Sequence, residues 1–193
     1  MIPLLLATRN AHKTREFAQI LGRDFVVTDL TSLEIPAIEE TGQTFDENAA
    51  IKALTISKRL SGFVVADDSG LEVDVLGGAP GIFSARYSGE NASDHENIGK
   101  LLQKLADAPD RRARFRCAIV LARAGETLAI FAGELEGTIS IEPRGKNGFG
   151  YDPVFIPTGH DQTFAELGQE MKNRISHRAR AIGQLRAYLE DSL

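Results

Sequence analysis

Phe63-Val64-Val65-Ala66-Asp67-Asp68-Ser69-Gly70 runs four apolar residues straight into two adjacent carboxylates and a Ser-Gly pair. A short continuous apolar run reads as a buried strand. The spacing predicts a strand over 63–66, a turn at Ser69-Gly70 offering backbone N–H groups, and a short further strand at Leu71-Glu72-Val73. Neighbours on a strand face opposite sides, so one of the two carboxylates faces any cleft at the strand end. In open α/β sheets that end is where ligands bind.

Working outward from this stretch, Leu4 to Ala7 reads as a first buried strand, and Phe17, Ile20 and Leu21 mark a helix closed by Gly22. Phe25-Val26-Val27 suggests a strand, 28–42 a loop, and Phe45 to Leu60 a long helix. Ser93 to Leu105 is predicted helical, with Ser93 as cap and Glu96 as its box partner. Arg114 to Arg123 and Thr127 to Ile139 read as strands joined by a tight turn at Gly125-Glu126. Val154-Phe155-Ile156 reads as a strand, and Thr163 to Glu170 and Ser176 to Leu189 as helices. Alternating helices and strands with a hairpin between argue for an α/β fold: a mixed sheet with helices on its faces. One domain with two lobes over 1–193 is the simplest organisation.

Bulk properties narrow the function. A formal net charge of -5 gives no electrostatic reason to bind a nucleic-acid backbone. The single cysteine, Cys117, excludes an internal disulfide and reads as a small buried hydrophobe. No stretch approaches the roughly 18 apolar residues of a membrane span. No signal segment opens the chain, so the cytoplasm is the expected location.

Several blocks carry chemistry. Thr8-Arg9-Asn10-Ala11-His12-Lys13 lies where a strand ends and a helix opens, a place that favours an anion. Thr8 supplies a hydroxyl, Asn10 an amide and Lys13 a mobile positive charge, and the same residues also suit a polar turn capped by Asn10. Asp67 and Asp68 would repel unless a cation sat between them; Mg2+ suits oxygen ligands and substrate phosphates. Spacing barely separates Glu39 from Glu40 as a second metal carboxylate, and Glu40 is preferred; Lys52 lies on the helix that follows.

Lys146-Asn147-Gly148-Phe149-Gly150-Tyr151-Asp152-Pro153 sets an aromatic between glycines, which let backbone approach a flat ligand. Phe149 can stack on a purine or fill the core, and Asp152 can accept from a base N–H or fix the loop. Lys172-Asn173-Arg174-Ile175-Ser176-His177-Arg178 places basic residues in the first turn of a helix, against its dipole. That conflict hints at contact with an anion or a base carbonyl.

In this order, Thr8-x-Asn10-x-x-Lys13, Glu39-Glu40-Thr41-Gly42 with Glu47-Asn48-Ala49, Ala66 to Gly81 with Ser84-Ala85-Arg86-Tyr87, Gly148 to Pro153 and Ile175 to Arg178 resemble the inosine triphosphate pyrophosphatase family, the Ham1-like proteins. The resemblance covers essentially the whole chain. It implies an elongated mixed β-sheet flanked by helices, with two lobes and a nucleotide-binding cleft between them. It implies a homodimer that hydrolyses ITP, dITP and XTP to monophosphate and pyrophosphate with Mg2+. By the same resemblance Asp68 is the catalytic, metal-binding acid and Glu40 stands close to the metal. Thr8, Arg9, Asn10, Ala11, His12, Lys13, Lys52 and Ser69 are implied substrate contacts on the phosphate side. Phe149, Gly150, Tyr151, Asp152, Lys172, His177 and Arg178 are implied contacts around the nucleotide and its base. Arg9 and His12 stand where some relatives carry glycine. Asp67 remains an alternative general base. The competing readings are a Maf-like pyrophosphatase acting on dTTP, UTP or modified pyrimidines, and a non-catalytic nucleotide-binding protein.

Overall fold

The computed structural model describes residues 1–192. The chain forms a six-stranded sheet in the order β2-β1-β3-β4-β5-β6. The strands are β1 (Ile2–Leu6), β2 (Phe25–Asp29), β3 (Phe63–Val73), β4 (Arg112–Arg123), β5 (Glu126–Ile139) and β6 (Phe155–Pro157). The helices are α1 (Ala11–Leu21), α2 (Phe45–Ser57), α3 (Asp94–Lys104), α4 (Phe164–Ile175) and α5 (His177–Ser192). β1 is parallel to β2 and β3, whereas β6 is antiparallel to β5, so the sheet is mixed as its sequence pattern predicts.

The chain divides into two compact units, and β3, β4 and β5 each contribute residues to both. The first unit comprises Met1–Asp68, Cys117–Gly133 and the residues from Arg178 onward. Its core joins Leu4 and Leu6 of β1, Phe17 and Leu21 of α1, Val65 of β3, Ile119 and Leu121 of β4, and Ile182, Leu185 and Leu189 of α5. The spacing of the last three is the apolar stripe of an amphipathic helix.

The second unit comprises Ser69–Arg116 and Glu134–His177. Leu71 and Val73 of β3, Ile98 and Leu101 of α3, Phe115, Phe155 and Phe164 form its core. Ser93 and Glu96 make the expected reciprocal capping box at α3, and Thr163 with Glu166 makes another at α4.

Several boundaries differ from expectation. Ser69-Gly70 is not a turn: β3 runs unbroken through it to Val73. β3 lies inside the sheet between β1 and β4, where ladder bonds compete with turn formation, and its apolar pattern resumes at Leu71. α4 extends to Ile175 because it kinks rather than stops at Gly168, where φ is 81°. α2 ends at Ser57, with Arg59 and Leu60 N–H groups both donating to the Ile56 carbonyl in a closing turn. The β4–β5 turn is Ala124-Gly125, one residue earlier than expected, with φ of 53° and 82° as a two-residue primed turn requires.

Candidate active site

The acids of β3 face different neighbours. Asp67 is 3% exposed and sits in a closed ionic cluster of the first unit. Arg178 Nε donates to its Oδ2 at 3.0 Å, and the Cys117 thiol donates to the same oxygen at 2.9 Å. Lys13 Nζ pairs with its Oδ1. Arg178 Nη1 in turn reaches Glu16 Oε2 at 2.6 Å. Burial alone would raise the Asp67 pKa, but Arg178 and Lys13 outweigh it and hold the carboxyl well below the usual range. A carboxylate so held is a poor proton acceptor, which weighs against Asp67 as the general base.

Asp68 faces Lys52 instead. Lys52 Nζ lies 3.0 Å from Asp68 Oδ1 and 3.3 Å from Glu40 Oε2, so one ammonium bridges the two carboxylates. Burial raises the Asp68 pKa; Lys52 and Lys13 pull it back, and Glu40 adds to the rise, leaving it above the ordinary value. For Lys52, burial works downward, but Asp68 and Glu40 prevail and its pKa is raised. Asp68 is therefore the better proton acceptor of the two β3 acids.

The convergence of Asp68 and Glu40 on one cation fits a hard metal ion. Both offer oxygen alone, the donor type magnesium prefers. Among the described residues no group of three or more His, Cys, Asp or Glu gathers as a protein-only metal cage. Two carboxylates that leave the remaining positions to phosphate and water match the way magnesium is bound with nucleotides.

At the opening of α1, Asn10 is a helix cap: its Oδ1 accepts from the N–H groups of His12 at 2.9 Å and Lys13 at 3.3 Å. Thr8 Oγ1 accepts from the Asn10 N–H at 3.1 Å. Lys13 is not mobile, because Asp67 holds it. Arg9 Nη2 donates to the Ile35 carbonyl, which ties the 28–42 loop to this corner. Ala11 and His12 are exposed.

The second unit holds its own cluster. Lys172 Nζ pairs with Asp152 Oδ2 at 2.6 Å, both side chains almost wholly buried. The same Asp152 oxygen accepts from the Phe149 N–H at 2.9 Å. The ammonium of Lys172 stands 4.3 Å from the centroid of the Phe149 ring, a cation–π contact. Gly150 N–H donates to Asp94 Oδ2 at 2.6 Å, so the glycine-rich loop is also tied to α3. Tyr151 is buried and donates to the Ser84 carbonyl at 2.9 Å. His177 is buried and stacks on Phe115 with centroids 4.7 Å apart. Ser69 is half-buried within β3 rather than in a turn.

Of the predicted site residues, the first unit thus assembles Lys13, Glu40, Lys52, Asp68 and Arg178, and the second assembles Phe149, Gly150, Asp152 and Lys172. The conflict of a basic residue in the first turn of α5 is met by Asp67 and Glu16, two acids remote in sequence. Sequence reasoning missed Glu16, Asp94 and the hydrogen bond from Cys117. Glu16 beside Phe17 shows no spacing that separates a buried acid from a solvated one.

The Ham1 family model matches residues 4–188. A dITP/XTP pyrophosphatase of Bacillus licheniformis is 51% identical, covering 100% of both chains. Another, from Halalkalibacterium halodurans, is 52% identical over 96% of this chain and 98% of its own. Among solved structures, a HAM1 protein from Coxiella burnetii superposes with a TM-score of 0.90 at 45% identity, covering 100% of both chains. The Ham1 protein of Staphylococcus aureus gives 0.88 at 45% identity, covering 99% of this chain and 100% of its own.

Proposed function

The chain belongs to the Ham1 family, and from that premise we propose that it hydrolyses non-standard purine nucleoside triphosphates (ITP, dITP and XTP) to the monophosphate and pyrophosphate. The observation that carries the chemistry is the pair Asp68 and Glu40 gathered on Lys52, with the Asp68 pKa raised. The reading also draws on relatives across the full chain that are named dITP/XTP pyrophosphatases.

Asp68 and Glu40 would hold a magnesium ion, which when bound supplies positive charge to the triphosphate oxygens. Asp68 orients a water and takes its proton as the water oxygen bonds to the α-phosphorus. The α–β bridging bond then breaks, and its electron pair leaves with pyrophosphate. Lys52 and Lys13 are the fixed cations beside the acids and balance the charge that develops. Arg178 acts through Asp67, holding that carboxylate and with it the strand that presents Asp68. At the opening of α1, Thr8, Arg9, Asn10, Ala11 and His12, and in β3 Ser69, contribute on the phosphate side.

In the second unit, Phe149 stacks on the purine, and Gly150, Tyr151, Asp152, Lys172 and His177 shape its surroundings. Hypoxanthine and xanthine carry a carbonyl and an N1–H where adenine carries an amino group and a bare nitrogen. Donors for O6 and an acceptor for N1–H leave adenine mismatched, at about 1–3 kcal/mol per unmade buried bond. Guanine shares both groups, so its 2-amino group must be what the pocket rejects. The same reading makes the protein a cytoplasmic homodimer, the latter testable by sedimentation.

Steady-state pyrophosphate release from ITP, dITP, XTP, GTP, ATP, dUTP and dTTP, with and without Mg2+, tests the proposal. Expected is Mg2+-dependent turnover with ITP, dITP and XTP far ahead of the rest. Comparable efficiency on ATP and dITP would reject the base selection, preference for dTTP would favour the Maf-like reading, and no turnover at all would reject the enzyme.

A further inference from the structure

Asn48 lies in the second turn of α2 and is 1% exposed. Its Oδ1 accepts a hydrogen bond from the Gly42 N–H at 2.8 Å. Its Nδ2 is buried with no hydrogen-bond partner among the described residues. A buried orphan donor costs about 1–3 kcal/mol, whereas a single hydrogen bond contributes net only about 1 kcal/mol. An apolar side chain of the same shape would remove the orphan donor but would also take the acceptor from the Gly42 N–H. The amide carries one unmet donor while its bonded end holds the Gly42 N–H.

That end fixes the segment carrying Glu40. Gly42 follows Glu40 by two residues, and Lys52, one helical turn beyond Asn48 on the same face of α2, bridges Glu40 to Asp68. A second bond of the same kind runs from the Gln43 N–H to Glu47 Oε2 at 2.7 Å. The approach is close enough to require glycine: a Cβ at Gly42 would stand 2.7 Å from Asn48 Oδ1 and 2.7 Å from Glu47 Cβ.

We propose that Asn48 is a positioning residue that, through the Gly42 N–H, sets the Glu40 carboxylate against Lys52 and Asp68 and so completes the cation-holding pair. This inference rests on the reading that Glu40 and Asp68 hold the metal. Asn48 acts through Glu40.

The test titrates Mn2+ into the full-length protein with the non-hydrolysable analogue α,β-imido-dITP, reading bound Mn2+ by electron paramagnetic resonance, with thermal melting in parallel. Wild type, Asn48→Leu, Glu40→Gln and the double variant form a cycle. Expected for Asn48→Leu is a cooperative melting transition with Mn2+ affinity about tenfold weaker, a loss of about 1.4 kcal/mol. In the Glu40→Gln background, Asn48→Leu should add nothing. Gly42→Ala strikes the other end of the same bond and should weaken Mn2+ similarly, which keeps the test open if Asn48→Leu does not fold. Unchanged Mn2+ affinity in Asn48→Leu with a clear loss in Glu40→Gln overturns the inference but leaves the metal reading standing. Unchanged affinity in Glu40→Gln overturns both. An equal loss from Asn48→Leu with and without Glu40 shows that Asn48 acts elsewhere and also overturns it.

Discussion

Asp67 and Asp68 are consecutive residues of one strand, yet Asp67 is locked to Arg178, Lys13 and Cys117 while Asp68 meets Lys52. The alternation of a strand separates them. One environment drives a carboxyl pKa well down and the other raises it. Two acids pushed apart in this way are suited to different work: Asp67 to organising cations as an anion, Asp68 to accepting a proton.

Their neutral variants should therefore fail differently. Asp68→Asn is expected to fold normally, with kcat for dITP reduced at least about a thousandfold, the scale of losing a general base together with a metal carboxylate. Asp67→Asn is expected to lose on the order of 3 kcal/mol of stability, because it leaves the buried Arg178 guanidinium undercompensated. Urea denaturation beside single-turnover kinetics separates the two; near-normal turnover in Asp68→Asn would defeat its assignment.

The pH dependence of that stability gap follows from the direction of the Asp67 shift. Its folded pKa is depressed, so its contribution is fully present above the unfolded value of about 3.9 and is lost as pH falls from there through the folded value. The difference in urea midpoint between wild type and Asp67→Asn should be flat from about pH 8 to pH 5 and narrow only below about pH 4. A gap that closes between pH 7 and pH 5 would mean that another group carries it.

Cys117 offers an independent probe of the same cluster. Burial raises its thiol well above the usual pKa, and the neighbouring Asp67 charge adds to this. A thiol kept protonated and covered should not react with a disulfide reagent such as 5,5′-dithiobis(2-nitrobenzoic acid) at pH 8 until the protein unfolds. Labelling should then track the unfolding rate, and rapid stoichiometric labelling of the native protein would contradict the burial of the cluster.

Much of this was legible in the sequence because it is local. The apolar run of β3, the capping box of Ser93 and Glu96 and the stripe of α5 each announce themselves within a few residues. The site blocks were legible through their order along the chain. What stayed hidden depends on distant pairing. Ser69-Gly70 looks like a turn because its residues favour one, and only the flanking strands of the sheet hold it extended. Lys13 looks like a free phosphate ligand until Asp67 arrives from β3. Arg178 looks like an unmet charge until Asp67 and Glu16 reach it.

Gly148 carries the most local of the expected effects in the second unit. Its φ is 81°, a left-handed conformation that side chains disfavour. A Cβ added there would fall 2.1 Å from Asp152 Oδ2, the oxygen that accepts from the Phe149 N–H and pairs with Lys172. Gly148→Ala must therefore displace the carboxylate, the loop, or both. Displacing the carboxylate loosens the Lys172 ammonium beneath the Phe149 ring. If this ring covers the purine, the variant should raise KM for dITP about tenfold or more while kcat falls far less, because the acids and cations around Asp68 belong to the other unit. Replacing Asp152 by Ala as well removes the collision. It also leaves Lys172 buried without this partner, so the double variant should recover none of the KM and lose a further amount of stability, about 3–5 kcal/mol. A Gly148→Ala enzyme whose kcat collapses at unchanged KM would place this loop in the chemical step rather than in base recognition.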